Sequence, residues 1–350
     1  MNTDLHRWEL RNQKSELRTA RRPFSLLRSV LSVFICVHLW TSLSISHARA
    51  QEPQSREVVA NLAAGRVLVY VSRSAIVIGM IENKIEADTY PPLLAPLHRG
   101  RVGVLLGAAE WLTPEGGTPL RLDEDLVRLS GEVAGPKRLQ AEHEGDLEAL
   151  GLALLEPLRN AAGHLHRQID YPPEEPLLEL LLIGYVEGYG PETWSLRYRM
   201  VQEPLRGDNW RTRVLRPHYT QLYPPEKGQP RALIEFRYPA GEAAPAAWDQ
   251  LNSSGALEKF AAAGGELAKA VEQLRKGESH KTTSEGAIEF MRAAMGVLAR
   301  PESAQAIAVI HEREGFEWIL APPERVQRAR QQTDEKREPG APSLRRPPNN

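Results

Sequence analysis

The chain has 350 residues and a mass of 39.1 kDa, and 41% of its residues are hydrophobic, 25% charged and 6% aromatic. This composition is ordinary for a globular protein, and the length is enough for one large domain or two smaller ones. The formal net charge of −1 lacks the basic surplus of a nucleic-acid-binding protein, so no nucleic-acid partner is expected. The single cysteine, Cys36, excludes an intramolecular disulfide framework and a cluster of thiolate metal ligands.

Residues 1–50 have the pattern of an export signal. A polar, arginine-bearing stretch ends at Arg28, and a largely apolar run covers Ser29–Ile45. Ala48 and Ala50 then supply the small-x-small pattern that signal peptidase needs. We therefore predict cleavage after Ala50 and export to the periplasm or the extracellular space. An uncleaved membrane anchor is the alternative.

Two further features concern the exported form. The pair Arg21-Arg22 before the apolar run resembles a twin-arginine signal. Cleavage after Ala50 removes Cys36 and leaves 36 basic and 42 acidic residues, so the exported chain has no cysteine and a formal net charge of −6. We expect this form to make no contact with a membrane.

The first half of the chain after this signal begins with β-branched runs. Arg66–Val71 and Ala75–Ile81 predict a β-hairpin, and Arg101–Leu106 predicts a third strand that ends at Gly107. Segment 112–140 predicts a loop with a short helix. Apolar residues at helical spacing then predict a helix over Glu142–Gln168, which Pro157 should kink or end.

The second half begins with the apolar run Leu177–Tyr185, which predicts a strand buried on both faces, and Thr193–Met200 predicts its return strand. The proline-rich segment 201–245 predicts irregular structure with one strand at Ala232–Tyr238. Two helical stretches and a closing hairpin follow, with Ser284 or Thr283 as the N-cap of the second helix. Their predicted ranges are Ala246–Arg275, Ser284–Ala299, Ala306–Ile310 and Phe316–Leu320.

In this order the elements resemble a proteasome β-type subunit, of the N-terminal nucleophile hydrolase superfamily. The pieces that carry the resemblance lie within residues 62–200 and 283–320, and they are GRVLVYVSRSAIVIGMIE, RVGVLLGAAEW, LLELLLIGYVEGYGPETWSLRYRM, SEGAIEFMRAAMGVLA and AIAVIHEREGFEWI. The resemblance implies an α+β fold, a four-layer α-β-β-α sandwich of two antiparallel sheets covered by helices. We expect one such domain over 51–321, with an irregular insertion at about 201–245, and a disordered tail over 322–350.

The resemblance also implies an active site that lacks the nucleophile and the lysine of the family. The nucleophile of the family, a threonine freed by cleavage after a glycine, corresponds to Gly65-Arg66, and residues 63–67 include no hydroxyl or thiol. The aspartate of the family corresponds to Glu82 and its oxyanion-hole glycine to Gly107. Pro91-Pro92-Leu93-Leu94 stands where the family has a lysine. We call Gly65, Arg66, Glu82 and Gly107 the vestigial site.

This register leads us to expect that the Arg66 guanidinium faces the vestigial site and pairs with Glu82. No catalytic residue, cofactor-binding residue or metal ligand is predicted. His164 and His166 are two residues apart and cannot share an ion on a helix, and the acidic run Asp123–Asp125 is explained by helix N-terminal charge.

Three functions stay open at this point. The first is an exported, non-catalytic binding or assembly component that forms homo-oligomers, by analogy with the ring-forming family. The second is a self-processing Thr or Ser amidohydrolase or peptidase with an unmapped nucleophile, for which Thr89, Thr113 and Thr118 are the early threonines. The third is a generic periplasmic binding protein unrelated to the family. The sequence identifies no ligand.

Overall fold

A computed structural model describes residues 60–83, 89–111, 120–133, 143–165, 175–239 and 245–322. The predicted signal over 1–50 lies outside these residues, as does nearly all of the predicted tail over 322–350. The described chain has an α+β fold with two large sheets, a two-stranded ribbon and six helices. Its strands are β1 (Ala60–Ala63), β2 (Gly65–Val71), β3 (Ala75–Glu82), β4 (Thr89–Tyr90), β5 (Leu93–Pro96), β6 (Val102–Trp111), β7 (Leu120–Arg121), β8 (Leu178–Val186), β9 (Gly190–Tyr198), β10 (Met200–Pro204), β11 (Trp210–Val214), β12 (His218–Tyr223), β13 (Ile234–Tyr238), β14 (Gln305–His311) and β15 (Gly315–Leu320).

The larger sheet has eight strands in the order β12-β9-β8-β6-β1-β4, with β5 and β7 also paired to the long strand β6. All ten residues of β6 are buried, and so are the first seven of β8, which confirms a central strand covered on both faces. The pairing is antiparallel except between β1 and β4, which run parallel, so the expectation of a purely antiparallel sheet is wrong at this edge.

The second sheet has five strands in the order β13-β2-β3-β14-β15, all antiparallel. The predicted first hairpin is confirmed as β2–β3. Its turn is closed by Ser72, whose hydroxyl donates to the Ala75 carbonyl at 2.7 Å and accepts from the Ala75 amide at 3.1 Å. The predicted closing hairpin is confirmed as β14–β15.

The helices lie in the predicted stretches, but their ends differ and the stretch Ala246–Arg275 is divided into three helices. They are α1 (Leu122–Val133), α2 (His143–Gly163), α3 (Ala247–Ser253), α4 (Ala256–Ala262), α5 (Gly265–Arg275) and α6 (Ser284–Leu298). Helix α2 continues past Pro157 instead of ending there. Thr283 caps α6, because its hydroxyl accepts the Gly286 amide at 3.1 Å. None of the described helices is both long and apolar enough to span a membrane.

Three buried clusters hold these elements together. The first joins α1 and α2 to one face of the eight-stranded sheet, through residues such as Leu126, Leu154 and Leu180. The second contains side chains of both sheets, for example Val69 and Leu181. The third joins the other face of the five-stranded sheet to α3–α6. Every cluster is apolar, so burial of apolar surface is the main stabilising contribution.

Two predictions about the strands are wrong. Strand β6 does not end at Gly107 but continues to Trp111. Segment 201–245 is not irregular with one strand, because β10, β11 and β12 precede β13 there. Short strands separated by prolines contain too few residues to show a clear alternation of apolar and polar side chains. Their structure depends instead on the strands they pair with, which the sequence does not show.

Candidate functional site

The chain passes from one sheet to the other at the vestigial site. Strand β1 lies in the eight-stranded sheet and β2 in the five-stranded sheet, and Ala64 alone joins them. Ala63 and Ala64 have no solvent-exposed surface. The Ala64 amide donates to the Tyr90 carbonyl at 2.8 Å, and the Ala64 carbonyl accepts the Asn83 amide at 3.2 Å. The chain from Ala63 to Gly65 is therefore a buried and hydrogen-bonded stretch of continuous backbone.

Gly65 is required by close packing at this crossing. A Cβ atom added there would lie 2.2 Å from the Ile81 carbonyl oxygen and 2.8 Å from Cδ of Pro92. Backbone and a proline ring cannot move aside cheaply. Pro92 thus fills the space beside Gly65.

Gly107 is also explained by close approach of the backbone. Its φ is +95°, and an added Cβ would lie 2.6 Å from the Leu177 carbonyl oxygen and 3.2 Å from the Tyr238 ring. The next amide, of Ala108, donates to that same Leu177 carbonyl at 2.8 Å. Gly107 pairs with Ala63, the residue before the crossing, in the β6–β1 ladder. These contacts explain why residue 107 is a glycine, and no role in binding an oxyanion is needed to explain it.

Tyr238 completes the filling of the site, and sequence reasoning missed it. It lies directly opposite Gly65 in the β13–β2 ladder, its ring reaches Gly107, and it is 3% exposed. Nothing in the sequence pairs residues 65 and 238. The alternation of apolar and polar residues in β13 predicts a strand, but it does not predict which residues of β2 this strand pairs with.

Glu82 lies beside Gly65, as the predicted register requires. The two residues are cross-strand partners in the β2–β3 ladder. The Glu82 carboxylate accepts the Ala304 amide at 2.9 Å, while the Glu82 amide donates to the Ala304 carbonyl at 2.8 Å. Glu82 therefore ties the end of β3 to the start of β14. The structure thus makes Gly65 and Glu82 neighbours, and Tyr238 links Gly65 to Gly107.

Arg66 does not join them, and the expected Arg66–Glu82 ion pair is wrong. Arg66 is the cross-strand partner of Ile81, which belongs to the cluster under α3–α6, whereas Glu82 is one residue further and points to the opposite face. Nε of Arg66 lies 3.1 Å from Oε1 of Glu235, and its Nη1 donates to Oε1 of Gln250 at 3.1 Å. Burial lowers the pKa of Arg66, Glu235 raises it and Arg237 lowers it.

Other polar side chains of the described chain make hydrogen bonds and ion pairs that stabilise the fold. Ser195 and Arg197 both donate to Oε1 of Glu179, at 2.5 and 2.9 Å, so the fully buried Ser195 hydroxyl is held by a carboxylate and has no histidine base. Asp123 pairs with Arg121 at 3.3 Å, at the start of α1. Within the described ranges, no group of three or more His, Cys, Asp or Glu side chains could hold a metal ion.

The remaining predicted candidates are only partly described. His164 follows the last turn of α2, while His166, Thr113 and Thr118 lie outside the described residues. Thr89 is inside β4, where it pairs with Leu62 of β1. This threonine is therefore on the edge strand of the eight-stranded sheet and not at the start of the first hairpin.

The chain was compared with families and with curated proteins. No family model matches it, and no curated protein matches it. The arrangement around Ala64 therefore carries the functional argument.

Proposed function

We propose that the chain is an exported, non-catalytic protein with the four-layer fold of the N-terminal nucleophile hydrolases, and that it serves as a binding or assembly component. Three buried clusters support the layering of helices, sheet, sheet and helices. The order of hairpin, third strand, helices, central hairpin and closing hairpin supports the relationship to proteasome β-type subunits. The export signal supports a role outside the cytoplasm.

The observation that carries the proposal is the buried crossing at Ala64. A nucleophile of this superfamily needs a free α-amine, and here an amide bond and a preceding strand occupy that position. Pro92 packs against Gly65 and Tyr238 against Gly107, which supports a closed site with no space for an acyl group. Cleavage at this crossing would still expose no hydroxyl or thiol.

Intact-mass spectrometry of the exported protein tests the absence of self-processing. We expect one mass, that of a chain from Gln51 to Asn350. A species cut inside the fold in front of a serine or threonine would instead support a self-processing hydrolase.

Light scattering tests assembly separately. The chain is studied from Gln51 on, across micromolar concentrations. A homo-oligomer is expected by analogy with the packing of subunits in the family. A strictly monomeric protein at all concentrations would contradict the assembly role and leave the conclusion about catalysis in place.

A further inference from the structure

Strands β10 and β11 form a two-stranded ribbon outside both large sheets. One face of the ribbon packs on α2 and the segment after it. Val214 belongs to the first buried cluster, the Thr212 hydroxyl donates to the Leu165 carbonyl at 3.1 Å, and Nε of Arg159 donates to the Val214 carbonyl at 3.1 Å. The ribbon is thus held against α2 by one face, and the other face takes no part in these contacts.

The opposite face is rich in arginine. Val201 pairs with Arg213 and Glu203 with Arg211, while the Leu215 amide donates to the Arg199 carbonyl and continues the ladder. Because side chains alternate along a strand, these residues share the face that points away from Val214. We call Arg199, Val201, Glu203, Leu205, Arg211, Arg213 and Leu215 the ribbon face.

The charge of this region contrasts with that of the chain. Residues 197–218 contain six arginines and no lysine, against two acidic residues, whereas the whole chain has a formal net charge of −1. All six arginines are exposed. Arg213 pairs with Glu203 at 2.8 Å and Arg197 with Glu179. The other four have no ion-pair partner within the described ranges, and they are Arg199, Arg206, Arg211 and Arg216.

Apolar side chains are exposed among these cations. Leu205 is 51% exposed at the tip of the ribbon, where its amide donates to the Asn209 carbonyl at 2.8 Å and closes the loop. Leu215 is 39% exposed at the other end. Large apolar side chains next to arginines are the composition of surfaces that lie at the boundary between water and lipid.

We propose that the ribbon face binds a membrane surface whose lipids carry anionic phosphate headgroups. Guanidinium groups donate two parallel hydrogen bonds to phosphate oxygens, which suits a face whose cations are all arginines. Anionic lipids attract clustered cations, and the exposed leucines enter the apolar boundary that a soluble polyanion lacks. The binding is peripheral and needs no membrane-spanning helix. It goes beyond the proposed function and does not depend on the hydrolase-like fold.

Vesicle co-sedimentation tests the proposal. The protein is used from Gln51 on, because the apolar run Ser29–Ile45 would itself enter vesicles, and all described elements are retained. Vesicles of phosphatidylcholine with phosphatidylglycerol are compared with vesicles of phosphatidylcholine alone. The substitutions Arg199→Gln and Arg211→Gln are combined, since neither residue has an ion-pair partner in the described chain. The control combines Arg292→Gln and Arg300→Gln, two exposed arginines on and after α6.

We expect binding to the anionic vesicles only, weakened by salt. The ribbon variant should lose roughly twentyfold in binding constant, because each cation near an anionic surface contributes about a fivefold factor. Leu205→Ser should also weaken binding, and the control should bind like the unsubstituted chain. Three results would each overturn the proposal: equal binding to both kinds of vesicle or to neither, an equal loss in the control, or an unchanged Leu205→Ser variant. Circular dichroism checks that each variant is folded.

Discussion

The guanidinium of Arg66 lies 3.1 Å from the carboxylate of Glu235, on the face of the five-stranded sheet that is covered by helices. Glu235 also binds Arg237 at 2.6 Å and accepts the Ala247 amide at 2.6 Å. That amide is at the start of α3, whose N-cap has no side chain bonded to it. One carboxylate therefore connects β2, β13 and the first helix of the C-terminal layer.

Replacement of Arg66 should destabilise the fold through Glu235. We expect Arg66→Thr to lower the free energy of unfolding by about 1–3 kcal/mol, because the half-buried Glu235 carboxylate loses one of its donors. The variant should show no amidase turnover, since the family's lysine is still missing. Urea denaturation measures the loss, and a peptide-amide assay measures turnover.

A pair of double-mutant cycles identifies the partner of Arg66. The cycle of Arg66→Thr with Glu235→Gln should give a coupling energy of about 1 kcal/mol or more, and the cycle with Glu82→Gln should give none. Coupling to Glu82 in place of Glu235 would mean that Arg66 faces the vestigial site after all.

Gly107→Ala should destabilise the protein more than the backbone angle alone explains. Gly190 provides the matched control, since its φ of +94° is close to the +95° of Gly107 and an added Cβ would meet open space. We expect about 1–2 kcal/mol for Gly190→Ala, from the left-handed backbone. The contact with Leu177 should raise the loss for Gly107→Ala to at least about 3 kcal/mol. Equal losses in urea denaturation would show that Gly107 is not closely packed.

Thr283→Ala tests which residue begins α6. The loss of a side-chain cap should cost about 1 kcal/mol of unfolding free energy. Ser284→Ala is the control and should stay within about 0.5 kcal/mol. A larger loss at Ser284 than at Thr283, measured by thermal or urea denaturation, would assign the cap to Ser284.

Tyr70 should make stability fall at alkaline pH. Burial raises the pKa of Tyr70 to about 12, although its hydrogen bond with Thr282 acts in the opposite direction. The unfolded chain releases this proton near pH 10, so the contribution is complete below about pH 10 and is lost as the pH rises towards about 12. The full difference corresponds to about 2–3 kcal/mol.

Tyr70→Phe is the comparison for this effect. It should be less stable at neutral pH, where the hydroxyl bonds are lost, and should show a smaller decline above about pH 10. The unfolding free energy is measured for both proteins across this range. Parallel declines would mean that Tyr70 does not contribute.

The sequence predicts where the helices and strands lie far better than it predicts which strands pair with each other. The runs around Val69, Ile78 and Leu181 are apolar and β-branched enough to predict both hairpins. Strand β1 has only the residues ANLA, and no local pattern shows that it enters the other sheet. The approximate register placed Glu82 beside Gly65 correctly, but Arg66 is one residue away and alternation turned it to the other face.

The part of the site that could not be predicted depends on contacts between distant segments. Tyr238 meets Gly65 and Gly107 only because β13 pairs with β2 and lies over β6. The ribbon β10–β11 is hidden in a segment whose prolines and arginines suggest irregular structure. The absence of a hydroxyl or thiol in residues 63–67 is visible in the sequence, whereas the close packing of Gly65 and Gly107 is visible only in the structure.

The amide of Ala64 offers the most direct test of the central claim, that buried continuous chain occupies the place of an N-terminal nucleophile. Native-state hydrogen exchange, followed by NMR, measures how readily this amide and that of Ala108 open. We predict that both exchange only with global unfolding, like the core amides of β2 and β3, because they donate to Tyr90 and Leu177 at 2.8 Å. Rapid exchange at Ala64 and Ala108 while the β2–β3 amides stay protected would contradict the claim and reveal an open site.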